Sequence, residues 1–173
     1  MTTNNTPKVR LEPWAEDGLD LLRRTNTPEM TDNLGGPETE AQLLARHGRY
    51  LALKGDDGQM FRVVLLPEGE VVGSVGFWAR DWRDEPVFET GYGIVPEFQG
   101  RGLAVAALKA VVEAAARQGG RRFVYAFPHV DHAASNAVCR KAGFELVGES
   151  EFEYPKGTFL LSNEWRADLV TSQ

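Results

Sequence analysis

Residues 88–108 read FETGYGIVPEFQGRGLAVAAL, and the fold turns on how this stretch is divided. Val87 to Val95 is rich in β-branched and aromatic residues and predicts a strand. Gly91 and Gly93 inside it point to a bulge or a close backbone approach. Pro96 ends the strand, and Gly100-Arg101-Gly102 opens a helix over Arg101 to Gln118, stopped by Gly119-Gly120. The apolar stripe of that helix is Leu103, Ala106, Leu108, Val111, Val112 and Ala115. Its first amides, near Gly100 to Ala104, have no partner within the helix, and the helix dipole adds positive potential at the same spot. A strand, a glycine turn and a helix start in this order form a cradle for a diphosphate, to which Arg101 adds a direct charge.

Toward the N-terminus, Val9 to Pro13 reads as a short strand and Trp14 to Arg24 as a short helix, behind a loose tail over residues 1–7. Asn33 to Gly36 is a loop, and Pro37 opens a helix reaching about Leu53. Phe61 to Leu66 and Val71 to Ala79 form a hairpin about the turn Pro67 to Glu70, and Arg80 to Pro86 is a charged loop. Toward the C-terminus follow a strand over Arg122 to Phe127 and a helix over His132 to Ala142 closed by Gly143. Strands over Phe144 to Glu149 and Phe159 to Asn163 end the pattern, joined by a turn from Tyr154 to Gly157. The order β-α-α-β-β-β-α-β-α-β-β predicts an α/β (or α+β) sheet with helices on its faces.

The chain has 173 residues, 42% of them apolar and 25% charged, as an ordinary single globular domain has. Its single cysteine, Cys139, leaves no internal disulfide and no multi-cysteine zinc site. Three scattered histidines, His47, His129 and His132, suggest no metal, and His47 and His129 read as surface or loop residues. No run of about 18 apolar residues predicts a membrane span, and polar Met1 to Lys8 lacks the apolar core of a signal peptide, which places the expectation in the cytoplasm. A net charge of −6 argues against a general nucleic-acid binder. The charge is uneven: Phe98 to Glu145 carries a net +4, which leaves −10 for the rest. That division suits an anionic ligand in the window and a cationic one elsewhere.

No GxxxxGK[ST] string exists, so a P-loop is excluded. Gly100-x-Gly102 begins a dinucleotide fingerprint, but Val105 stands at its third glycine and no acidic residue ends a following strand, so an oxidoreductase remains only a runner-up. Gln99 to Ala104 reads Q-x-x-G-x-A, and about 30 residues later comes DHAASNAVCRKAGFELVGE, residues 131–149. Together with the Pro13-Trp14 pair, Glu89-x-Gly91-Tyr92 and the S-N-x-x-x-x-K-x-G-F pattern from Ser135 to Phe144, these resemble the GNAT superfamily of N-acetyltransferases. The likeness is closer to its RimJ/RimL-type branch and spans nearly the whole chain, residues 8–173. It implies a single domain with a mixed, mostly antiparallel central sheet, splayed at the cofactor site.

The resemblance implies acetyl-CoA as cosubstrate. Gln99, Gly100, Arg101, Gly102, Leu103, Ala104 and Val105 would then hold its diphosphate. The backbone of Ile94 and Val95 would pair with the pantetheine arm and offer an N–H to the thioester carbonyl. On the second helix, His132 stands where the superfamily often has Asn, Ser135 matches the serine of the RimJ/RimL branch, and Cys139 replaces the tyrosine that protonates the leaving thiolate. The tyrosine mechanism is therefore not carried over. Ser135 is the candidate for hydrogen-bonding the sulfur, or else a helix cap. His132 and Asn136 join the cofactor side as polar lining residues. His132 and Cys139, seven residues apart, are roughly 10.5 Å apart along a helix, too far for a nucleophile–base pair, so Cys139 reads as packed and unreactive.

Glu89, on the same strand face as Gly91 and Gly93, is the candidate base that accepts the amine proton; it is equally a strand carboxylate paired with an arginine. The implied partner is an amine-bearing acceptor, either a small molecule or a protein N-terminus, met by the N-terminal helices, the segment from Trp78 to Pro86 and the turn after Tyr154. Neither nucleic acid nor membrane is expected as a partner, and a homodimer is a family-level expectation. A non-catalytic CoA-binding module on the same fold is the main alternative, because the tyrosine is missing.

Overall fold

The computed structural model of the chain describes residues 7–31, 36–153 and 156–170. Seven strands form one sheet: β1 (Lys8–Pro13), β2 (Gly58–Leu66), β3 (Glu70–Trp82), β4 (Glu85–Ile94), β5 (Phe123–Ala126), β6 (Glu145–Glu153) and β7 (Phe159–Asp168). The spatial order is β1-β2-β3-β4-β5-β7-β6. Every neighbouring pair is antiparallel except β4 and β5. The doubly wound parallel sheet that a dinucleotide-binding fold needs is therefore not formed, which removes the oxidoreductase reading.

The helices are α1 (Gly18–Thr25), α2 (Pro28–Thr31), α3 (Glu40–Ala52), α4 (Leu103–Gln118) and α5 (Ala133–Lys141). The larger core packs Leu103, Leu108 and Val111 of α4 and Cys139 of α5 against Phe61, Val75, Phe77 and Phe88 of the sheet. A second core joins Leu21 and Leu22 of α1 and Leu43 of α3 to Trp14, Met60 and Val95. Among the described residues no helix is long and apolar enough to cross a membrane, and no group of three or more His, Cys, Asp or Glu is placed to hold a metal ion.

Several boundaries differ from the sequence reading, each for a local reason. The third helix starts at Glu40 rather than Pro37 because Thr39 caps it: its hydroxyl accepts from Gln42 N–H at 3.2 Å, and Gln42 Oε1 accepts from Thr39 N–H at 2.8 Å. His47, read as a surface histidine, is buried, and its Nδ1 accepts the Trp14 indole N–H at 2.9 Å. The predicted charged loop from Arg80 to Pro86 is instead the tip of a long β3–β4 hairpin. Its two-residue turn is Arg83-Asp84, with φ of 51° and 64°, the left-handed pair that such a turn demands. With no glycine or asparagine there, the turn left no recognisable signal. Residues 1–6, Asn33 to Gly35 and the Tyr154-Pro155 part of the last turn lie outside the described residues.

One feature of the sheet makes the site. β4 pairs with β5 only at Phe88–Val124 and Glu89–Tyr125. After Ala126 the chain follows β7 instead: Val130 N–H donates to Leu161 O, Asn163 N–H to Pro128 O, and His129 bridges Ser162. From Thr90 to Ile94, then, β4 runs on with no strand beside it on that edge among the described residues, and the sheet parts into a V.

Candidate active site

The parting of β4 and β5 opens into a cleft of roughly 1160 Å³ that reaches both faces of the sheet. Period-two alternation divides β4 between them. Tyr92 turns toward α5, where its hydroxyl meets Ser135 Oγ at 2.9 Å. Glu89, Gly91 and Gly93 turn the other way, toward Trp78 and Met30. The register of β3 and β4 is unbroken, so the two glycines mark close approach rather than a bulge: a Cβ on Gly91 would stand 3.1 Å from the Trp78 ring.

The backbone edge of β4 is available in alternate residues. Val95 N–H donates to Val72 O at 2.9 Å, which fixes the ladder parity: Gly93 and Val95 bond to β3, while Tyr92 and Ile94 point their N–H groups into the parting. Val95 thus does not serve the slot as predicted, because its amide is spent on β3 and its side chain is fully buried. Ile94 does face it, with its carbonyl accepting from Gln99 Nε2 at 3.0 Å. Gln99 braces the strand end as well as lining the cleft.

Beyond Gln99, Gly100 and Gly102 have φ of 79° and 78°, conformations that side-chain-bearing residues rarely adopt. They delay the start of α4 from the predicted Arg101 to Leu103. The first helical bond is Ala106 N–H to Gly102 O, so the amides of Leu103, Ala104 and Val105 have no helical partner and face the cleft these residues line. Arg101 departs from its predicted role: its guanidinium lies 5.0 Å from the Phe98 ring centre and donates to Glu97 O, and its side chain does not line the cleft. Lys141, at the end of α5 and part of the basic window that the sequence sets against an anionic ligand, does line it.

α5 is held by its first residues. His132 caps it, its Nδ1 accepting from Ser135 N–H at 3.4 Å. Burial, with His129 nearby, holds the imidazole pKa below its ordinary value and favours the neutral form that capping requires. Asn136 is a correction. Its Nδ2 donates to His129 O at 3.0 Å and His132 O at 2.9 Å, and its Oδ1 accepts from Asn163 Nδ2 and Trp165 Nε1, both at 2.8 Å. Its hydrogen-bonding capacity is used up in tying α5 to β7, and the residue does not line the cleft. Cys139 is fully buried, and burial pushes its thiol up to about 12, so it is no nucleophile at neutral pH.

Tyr92, in the sequence no more than part of the Glu89-x-Gly91-Tyr92 motif, lines the cleft beside Ser135. Burial outweighs the Ser135 hydrogen bond and raises the phenol to about 12, so it stays protonated. On the opposite face, Glu89 Oε1 accepts from Arg80 Nη1 at 2.5 Å. Glu89 is thus the strand carboxylate paired with an arginine, and it also lines the cleft, at the last rung before the strands part. Trp78 lines the cleft too, whereas Trp82 stands behind Arg80, stacked on Phe152.

Residues 8–145 match the family model described as the acetyltransferase (GNAT) domain. The chain belongs to the GNAT acetyltransferase family. Over 112 residues it is 28% identical to the uncharacterized N-acetyltransferase YnaD of Bacillus subtilis (strain 168), a match covering 65% of this chain and 62% of that protein. The chain thus spans less than two thirds of the length of that curated relative. Among solved structures, the GNAT fold of this chain superposes on an acetyltransferase from Salmonella typhimurium that modifies the N-terminal serine of ribosomal protein L7/L12. The TM-score is 0.78 and the identity 22%, over 95% of this chain and 97% of that one. The spermidine N-acetyltransferase of Vibrio cholerae, solved with CoA and spermine, gives 0.74 at 15% identity over 96% and 98%.

Proposed function

We propose that this GNAT protein is an acetyl-CoA-dependent N-acetyltransferase that moves the acetyl group directly to a primary amine, of a small molecule or a protein N-terminus, in a ternary complex. The observation that carries the reading is the continuity of the cleft. An unpaired strand edge at Tyr92 and Ile94 leads straight into the unpartnered amides at Leu103 to Val105, the two main-chain surfaces that a pantetheine arm and a diphosphate need.

Acetyl-CoA supplies a thioester carbonyl open to attack by an amine. The residues fit it: Gly100 and Gly102 keep the loop clear, and a Cβ at Gly100 would meet nothing within 4 Å, so a ligand can lie on the backbone. The amides of Gly100 to Val105 hold the diphosphate, and the Ile94 N–H polarises the carbonyl. Glu89, at the apex of the parting, takes the proton of the attacking ammonium, directly or through a water. As the C–N bond forms and the C–S bond breaks, Ser135 supplies a proton to the departing thiolate, with the Tyr92 phenol behind it to replace that proton. The pair takes over the task that a tyrosine in place of Cys139 would perform.

Titration of the purified protein with acetyl-CoA by calorimetry, with NADH and ATP in parallel, tests the cofactor. Binding of acetyl-CoA alone, followed by amine-dependent release of CoA thiol, is the expected result. Binding without release to any amine would leave only a CoA-binding module.

A further inference from the structure

The Arg80–Glu89 pair has a construction that an ordinary strand salt bridge does not need. The Arg80 guanidinium carbon lies 5.1 Å from the ring centre of Trp82, 5.1 Å from that of Phe127 and 5.3 Å from that of Phe152. Three rings from three different segments thus fix one side of the cation. Trp82 is itself anchored, its indole N–H donating to Glu164 Oε1 at 3.3 Å. Arg80 spends one Nη1 hydrogen on Glu89 Oε1; its Nε and Nη2 donate to no partner among the described residues. Glu89 Oε2 likewise accepts no hydrogen bond among them. Both side chains line the cleft, and Glu89 sits at the rung where β4 and β5 separate. Facing the amine's path are therefore a free carboxylate oxygen near the slot and, next to it, a rigidly held guanidinium with spare donors.

Resting on the acetyltransferase reading, we propose that the acceptor is a free α-amino acid, with its ammonium group on Glu89 and its carboxylate on Arg80. The matching is chemical. A simple alkylamine or a polyamine has nothing to offer Arg80 and brings a second cation toward it. A peptide N-terminus presents an amide carbonyl where the guanidinium favours an anion, and charge-assisted bonds to carboxylate are the stronger kind. The Glu89–Arg80 pair is charge-complementary to a zwitterion and to neither alternative. After Glu89 removes the ammonium proton, the nitrogen lone pair attacks the thioester carbon and the C–S bond breaks. The sulfur takes its proton through Ser135 and Tyr92. The second proton that the nitrogen sheds as the amide forms passes to solvent and is regained from there by Tyr92, and the products are an N-acetylamino acid and CoA thiol. The carboxylate takes no part in the chemistry; Arg80 is a specificity-determining and positioning residue.

The test is an acceptor panel assayed by thiol release with acetyl-CoA: the free L-amino acids, their carboxamides, the amines lacking the carboxyl group, and short peptides with the same first residue. For at least one side chain the free acid should exceed its carboxamide and amine in kcat/KM by about 10- to 100-fold. In Arg80→Lys and Arg80→Met that ratio should fall toward one through a rise in KM for the acid, with the acetyl-CoA affinity unmoved. Arg80→Lys keeps a cation in the ring cage, and the panel on the unaltered protein needs no variant at all. Carboxamides, amines or peptides acetylated as well as or better than the free acids would overturn this inference and leave the acetyltransferase reading standing. Acetyl-CoA binding with no acceptor acetylated would overturn both.

Discussion

The two arms of the cleft are built from different materials. On the α4–α5 side the groups proposed to meet the ligand are mostly main-chain: the N–H groups of Tyr92 and Ile94 on the open strand edge and those of Leu103 to Val105 at the helix start, joined by the paired hydroxyls of Ser135 and Tyr92. On the opposite side they are side chains: Glu89, Arg80 and Trp78, with Phe127 and Phe152 behind them. Main-chain groups depend on backbone conformation, and conformation is dictated by a few local residues. Side-chain constellations depend on which distant segments the fold brings together. The donor arm is therefore a property of one stretch of chain, and the acceptor arm a property of the whole sheet.

Breaking one arm should spare the other. The largest effect is expected from Gly102→Val, which puts a β-branched residue at φ 78° in the diphosphate loop. Calorimetry should show acetyl-CoA binding weakened beyond detection, with the melting curve still cooperative. Next comes Asn136→Ala, which takes the acceptor from the buried Trp165 indole N–H and from Asn163 Nδ2, while the His129 and His132 carbonyls keep their backbone N–H partners. Chemical denaturation should show a loss of about 2–4 kcal/mol, while the fraction that remains folded binds acetyl-CoA as before. Weakened binding without loss of stability would return Asn136 to the cofactor side.

Glu89→Gln should lower kcat by about 100-fold, within the range for a positioned base, and leave the acetyl-CoA affinity unchanged. The mildest is Tyr92→Phe, with kcat down by about tenfold. Because burial holds the phenol at about 12, Tyr92 remains protonated through the neutral and mildly alkaline range and imposes no fall in rate there. A descending limb between pH 8 and 9 in the normal protein that vanishes in Tyr92→Phe would contradict that assignment.

The same contrast governs what could be read from the sequence. Gly100, Gly102 and Gln99 lie within four residues of one another, and their spacing announces a strand, a turn and a helix start. The parity that excludes Val95 and selects Ile94 was hidden, because it depends on which neighbour β3 engages. Arg101 lies inside the motif, yet its side chain folds back on Phe98, a choice of rotamer that spacing does not encode. From sequence Asn136 reads as a polar lining residue because its partners, Asn163 and Trp165, are more than 25 positions away. Arg80 falls in what the sequence marks as a charged loop, because the Arg83-Asp84 turn adopts left-handed conformations without glycine. Each miss concerns a partner distant in sequence or a side-chain direction, and each success concerns local backbone.

The tip of the β3–β4 hairpin has one more consequence. Glu164, 3% exposed on β7, receives hydrogen bonds from Trp82, Arg83 and Ser150. The Arg83 guanidinium, hydrogen-bonding to it, holds its carboxyl below the usual range and keeps it ionised against the cost of burial. This clasp joins β3 to β7 over the two strands between them, so the closed end of the V is tied independently of anything lying in its mouth. Acetyl-CoA then meets a slot that needs no prior opening. In a stopped-flow experiment its association rate should climb in proportion to concentration, without the plateau that a slow gating step imposes.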